Sequence, residues 1–127
     1  MPIIHPWESE FSVEKIEPLM EGADLRVLEI VLAPGQCVPW HMHPDTDDLF
    51  FAVTGVLDVH EKMPLVMTRL HPGERFLVSA KRAHLAHNPT PETITFLNIQ
   101  GIGPYDYVAI GDQVAPDFDA RPYRAQP

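Results

Sequence analysis

Apolar residues in this chain come in short runs, and proline, glycine, asparagine or aspartate cuts each run before it reaches helical length. The runs are "DLRVLEIVL", "LFFAVTG", "VLDVH", "LVMTRL", "RFLVSA", "HLAHN" and "TITFLNIQ". Between them lie "APGQ", "EKMP", "HPGE" and "NPTPE", where proline presets one backbone dihedral and glycine permits positive φ. Fourteen prolines in 127 residues exclude long uninterrupted helices. The pattern predicts an all-β domain of many short strands, a small sandwich or barrel.

A chain of this length buries one substantial core, and neither a repeat nor a linker divides it. We therefore expect a single domain over 1–127, with its core at about 24–110 and the two ends as arms. The tail "APDFDARPYRAQP" is rich in proline and polar groups, as an arm or a disordered segment would be. With 45% hydrophobic and 21% charged residues, the remainder has globular composition. A formal charge of -9 repels nucleic-acid phosphates and anionic membrane surfaces, so neither is an expected partner. The start "MPIIHPWESEF" lacks a basic segment followed by an apolar run, and no run reaches membrane-spanning length. These features, with the lone Cys37, lead us to expect a cytoplasmic protein without an internal disulfide.

Chemistry-bearing residues gather in two segments. In the first, residues 34–55, Gly35 is followed by His41, His43, Asp48 and Gly55. Alternate residues of a strand share a face, so His41 and His43 present both imidazoles to one point, while Trp40 and Met42 face away. Such a pair suits a metal ion. Asp48 opens the next strand and adds an oxygen across the "PDTD" turn, with Phe50 and Ala52 on its face. The second segment, "GERFLVSAKRAHLAHN", supplies His84 from a separate strand. His87 lies three residues further, so strand alternation sends it to the opposite face, towards a polar partner outside the site. His5, His60 and His71 have no motif context and read as surface or structural groups. Cys37 reads first as a small buried hydrophobe. An uninterrupted strand places its thiol on the histidine face, beside Phe50 in the wall of a substrate pocket, and a bulge at Pro39 reverses that placement.

Both segments resemble the paired motifs of the cupin superfamily. Gly35, His41, His43 and Gly55 match the first motif at every spacing, and Gly73, His84 and Asn88 match the second. Three positions depart from it: Asp48 stands for the motif glutamate, Ser79 for a proline and Lys81 for a glycine. The aspartate carboxylate lies one methylene nearer its backbone, which withdraws its oxygens by about 1.5 Å. Asp47 stands at the shorter permitted spacing as a rival.

The resemblance implies a double-stranded β-helix, a jelly-roll barrel, in which His41, His43, Asp48 and His84 hold a divalent transition metal. Imidazole and carboxylate suit Fe, Mn, Ni, Zn or Cu alike. Three or four protein ligands leave positions open for a small-molecule ligand or substrate, an arrangement suited to catalysis. The leading expectation is an enzyme of oxygenase type acting on a small organic compound that chelates the ion, with Asp48 as fourth ligand or as a base. Isomerase or lyase chemistry on a sugar-derived acid, or non-catalytic binding, are the alternatives. Tyr105 and Tyr107 either close one end of the barrel or pack on a partner. Trp40 and Met42 on the outer face need cover, which makes a homodimer plausible.

Overall fold

The computed structural model describes residues 12–103 and 107–110. Of the two ends expected as arms, residues 1–11 and 111–127 lie outside the described residues, as do His5 and Tyr105. Among the described residues ten strands run in the order β1 Lys15–Glu21, β2 Leu25–Leu32, β3 Cys37–Met42, β4 Asp48–Thr54, β5 Leu57–Glu61, β6 Val66–Leu70, β7 Arg75–Val78, β8 His84–His87, β9 Ile94–Gly101 and β10 Val108–Ala109. They form two antiparallel five-stranded sheets, β1-β2-β9-β4-β7 and β10-β3-β8-β5-β6, an all-β jelly roll as expected. Among the described residues no helix is long and apolar enough to cross a membrane. Every run named from the sequence contributes a strand. β1, which precedes the expected core, adds an edge strand paired with β2.

The core lies between the sheets, and two-residue periodicity puts it there. In β2, Leu28, Ile30 and Leu32 are buried while the residues between them are partly exposed, and β9 repeats the pattern with Ile94 and Phe96. Phe50 and Ala52 of β4 complete that wall, and Val38, Leu57, Val59, Leu70 and Ala86 meet it from the second sheet. Each large side chain removed from water in this way contributes about 1.5–3 kcal/mol. The inward positions continue beyond the apolar set. Arg26 precedes Leu28 by two residues, and Asn98 and Gln100 follow Phe96 by two and four, so β2 and β9 carry three buried polar groups into one end of the barrel.

β3 breaks its alternation. Val38 is in register with Ala86 and His41 with His84, yet two residues lie between Val38 and His41 against one between His84 and Ala86, and the register shifts there. This irregularity at Pro39 and Trp40 lets both Val38 and His41 face inward. Trp40 faces outward, but it is only 5% exposed within the single chain, with the Lys62 ammonium 4.3 Å from its ring centroid. The cover that Trp40 needs is therefore supplied without a second subunit.

Two motif turns show how local conformation is imposed. Gly55 has φ of 74°, and a Cβ there would lie 2.3 Å from Ile94 Cγ2. Gly35 has φ of 79° but open space around it. Lys81 keeps the left-handed conformation of the glycine it replaces, with φ of 69°, and its amide donates to His43 O at 2.8 Å. Gly55→Ala should therefore cost about 2–4 kcal/mol, combining backbone strain with overpacking, and Gly35→Ala about 1–2 kcal/mol from strain alone. Urea denaturation checks the order of the two. In the same assay Lys81→Gly should raise stability by up to about 1 kcal/mol, because relief of strain exceeds the added chain entropy; a loss would show that the lysine side chain contributes elsewhere.

Candidate metal centre

His41 projects from β3, His43 follows that strand, His84 opens β8, and Asp48 opens β4 in the opposite sheet. All four are buried, and one ligand atom from each lies within 4.8 Å of the others. The sequence-predicted set is thus brought together across the two sheets.

Two of the three imidazoles, those of His41 and His84, are aimed by a backbone acceptor. His41 Nδ1 donates to Pro39 O at 2.7 Å, which leaves its Nε2 lone pair for the cluster. His84 Nδ1 donates to Arg82 O at 2.8 Å. Arg82 is itself fixed: its guanidinium donates to Glu61 Oε2 at 2.8 Å and to Met63 O at 2.7 Å, tying the turn before β8 to the β5–β6 hairpin. On the other side of that turn, Ala80 N donates to Asp47 Oδ1 at 2.9 Å. Asp47, the rival ligand, is committed to this turn, and Asp48 alone reaches the cluster.

The shorter aspartate nevertheless meets the histidines. His43 Nε2 donates to Asp48 Oδ2 at 3.1 Å and His84 Nε2 at 3.0 Å. Asn98 Nδ2 donates to the other oxygen, Oδ1, and Gln100 Nε2 approaches it at 3.5 Å. Arg26 Nε donates to Gln100 Oε1 at 2.8 Å, and Gln100 in turn donates to Asn98 Oδ1. The amides of β9 thereby hold Oδ1 and turn Oδ2 towards the rings. Sequence reasoning passed over Asn98, Gln100 and Arg26. Their signal was parity, since each shares the inward face of its strand with apolar core residues.

Electrostatics follows burial. Loss of water around His41, then repulsion from His84 and His43, hold its imidazole well below the ordinary histidine range, so it presents a neutral ring. Burial would push the Asp48 carboxyl up, but hydrogen bonds and charge from His43 and His84 outweigh it and hold the group well below the usual carboxylate range. Both ring nitrogens of His84 face acceptors. An ion at its Nε2 takes the place of that proton.

The donor set fits a divalent transition metal. Metal–ligand bonds of about 2.1 Å place neighbouring octahedral donors about 3 Å apart, which matches the two spacings from Asp48 Oδ2 to Nε2. Beside the cluster lies a cavity of about 20 Å³ lined by His41, His43, Asn98, Gln100, Tyr107 and aliphatic side chains of β1, β2 and β3. That volume admits about one water-sized group. The Tyr107 ring stacks on His41 with centroids 4.6 Å apart and planes 17° from parallel, so within the chain it covers that ring. Phe50 is buried, its ring edge towards His84 at 5.7 Å.

Cys37 lies elsewhere. The β3 irregularity puts it in register with His87, while Val38 takes the place in the cavity wall. Burial pushes its thiol up to about 11, so it stays protonated on the opposite face of the sheet. His87 also faces outward, as strand alternation predicts. His71 is exposed beside Glu74. His60, read as a surface or structural group, is buried. Asn88 is a structural staple: its Nδ2 donates to Leu32 O and Glu92 O, and Oδ1 accepts from Thr90 N and Oγ1.

Comparison with known proteins places this geometry. A search of curated proteins finds no match. Among solved structures, an uncharacterised conserved protein with a double-stranded beta-helix domain from Klebsiella pneumoniae is 23% identical, with TM-score 0.65, covering 87% of this chain and 99% of its own. Peruvianin-I, a cysteine peptidase from Thevetia peruviana latex, is 22% identical with TM-score 0.63, covering 69% of this chain. An oxalate oxidase is 18% identical with TM-score 0.62, covering 72%. The chain spans about half the length of these last two, 56% and 52%, and the likeness to all three concerns the fold. The family model of the cupin domain matches residues 28–100, which is more than half of the chain and includes all four residues of the cluster, and the protein belongs to the cupin family.

Proposed function

We propose that this cupin is a metal-dependent enzyme of oxygenase type acting on a small organic molecule whose oxygens chelate the ion. The observation that carries the reading is the convergence of three imidazoles and one carboxylate within 4.8 Å at the edge of a largely apolar cavity. Fe, Mn, Ni, Cu and Zn all suit the donors; any of them bound there would supply Lewis-acid chemistry, and all but zinc would supply redox chemistry as well. His41, His43 and His84 hold it as neutral rings and Asp48 Oδ2 adds one negative charge. With Oδ1 committed to Asn98, Asp48 serves as a ligand rather than a free base.

The lining supports a small substrate that carries both polar and apolar groups. Apart from the cluster and Tyr107, the described wall consists of aliphatic side chains and the amides of Asn98 and Gln100. The amides orient a polar substrate and the aliphatic wall excludes water. Isomerisation or lyase chemistry calls for a separate group to move a proton, and among the described wall residues outside the cluster the Tyr107 hydroxyl is the group of that kind. A cavity of about 20 Å³ admits only a few atoms unless Tyr107 moves. That narrowness supports non-catalytic binding of a small chelating ligand as the second reading.

Two measurements test these readings. Untagged protein reconstituted with Fe²⁺ or Mn²⁺ should consume dioxygen with one class among catechols, keto acids and thiols, and His84→Ala should abolish the uptake. Calorimetric binding of such a compound without oxygen uptake or any product would leave the binder reading. Independently, Asp48→Asn should weaken metal binding by at least about tenfold in competition with a chromophoric chelator, since it removes the charge and keeps the shape. Unchanged affinity would show that the three histidines hold the ion alone.

A further inference from the structure

We propose that Asp58, His60 and His87 form a second divalent metal site on the outer face of the β10-β3-β8-β5-β6 sheet, taking an ion of borderline softness such as Zn²⁺. The placement follows from register. Asp58 and His87 are directly opposite one another on β5 and β8, and His60 lies two residues beyond Asp58 on the same face. Their neighbours Val59 and Ala86 point into the core, so these three point away from it. One ligand atom from each lies within 4.8 Å of the others, and the His60 and His87 ring centroids are 6.2 Å apart.

The pattern is the one the candidate metal centre uses. There, His41 is directly opposite His84 and His43 lies two residues along the chain from His41. Here Asp58 is opposite His87 and His60 lies two residues along. β8 serves both, since His84 and His87, three residues apart, project to opposite faces. The outer face of a barrel ordinarily meets water, yet Asp58, His60 and His87 are 1%, 7% and 9% exposed. Two imidazoles and a carboxylate in such surroundings are a donor set that zinc takes, with a fourth position for water.

Arg69 tunes this site. Its guanidinium donates from Nε to Asp58 Oδ1 and from one terminal nitrogen to Oδ2, both at 2.7 Å. A carboxylate has about four lone-pair sites, so this fork orients Asp58 and leaves acceptor capacity towards the histidines, as hydrogen bonds to ligating carboxylates commonly do. It also sets a positive charge beside the ion and so lowers affinity. Arg69 is partly exposed, which gives the site a side open to solvent.

The test is zinc stoichiometry, and it separates this site from the one under Proposed function. Untagged full-length protein is stripped with chelator, reloaded with zinc chloride, desalted and analysed for zinc. Wild type should hold two equivalents, His84→Ala and His60→Gln one each, and the double variant none, with circular dichroism confirming folding. One equivalent in wild type that His84→Ala removes overturns the second site. One equivalent that only His60→Gln removes upholds it and overturns the first. Loss of the second equivalent in His71→Ala would assign it to the exposed His71 and Glu74 pair and overturn the proposal. Should His60→Gln not fold, His87→Gln decides: it should hold one equivalent of zinc, the one that His84→Ala removes. Two equivalents in His87→Gln overturn the site.

Discussion

The Asp48 carboxylate is the constraint around which this barrel end is built. It is a fully buried charge that enters from one sheet and meets His43 and His84 of the other at 3.1 and 3.0 Å. Taking such a group out of water costs several kcal/mol unless hydrogen bonds satisfy its lone pairs. Here Asn98 and the two imidazoles do so, Gln100 holds Asn98, and Arg26 holds Gln100. The polar layer therefore continues the apolar core along the inward positions of β2 and β9. Removing any member exposes the next to the same desolvation penalty, which couples the chemistry of the cluster to the packing of the two sheets.

Strand parity distributes function between the faces of the second sheet. The irregularity at Pro39 and Trp40 turns His41 inward with Val38 and leaves Cys37 on the other side. Because β8 is regular, His84 and His87 face opposite ways without any irregularity. One sheet thus carries His41 and His84 on its inner face and Asp58, His60 and His87 on its back. A change at either face is transmitted through only one layer of backbone.

Relative strength of interactions explains why the departures from the cupin motif are tolerated. Lys81 adopts a left-handed conformation costing about 1–2 kcal/mol, and the hydrogen bond that its amide donates to His43 O holds the turn that precedes β8. Asp48 is a methylene shorter than glutamate, yet its strand places Oδ2 within hydrogen-bonding distance of both histidines. In each case the turn or strand keeps its backbone path and the side chain accommodates.

Much of the fold was legible in the sequence because period-two burial and turn-forming residues are local signals. The runs beginning at Asp24, Val56 and Thr93 became strands for that reason, and the resemblance to the cupin motifs named His41, His43, Asp48 and His84 before any geometry. Face assignment beyond His-x-His was less legible. Counting from His41 in an uninterrupted strand puts Cys37 in the pocket, and whether β3 keeps its alternation depends on its pairing with β8. The same holds for His60, which has no motif to mark it and acquires neighbours only when β5 pairs with β8 in one register. By itself the sequence determined the strand pattern, the motif residues and the turns, since these depend on neighbours along the chain. Tertiary structure alone decided which face Cys37 takes, that Asn98, Gln100 and Arg26 support Asp48, and that Asp58, His60 and His87 meet, because cross-strand register brings together residues that no local periodicity relates.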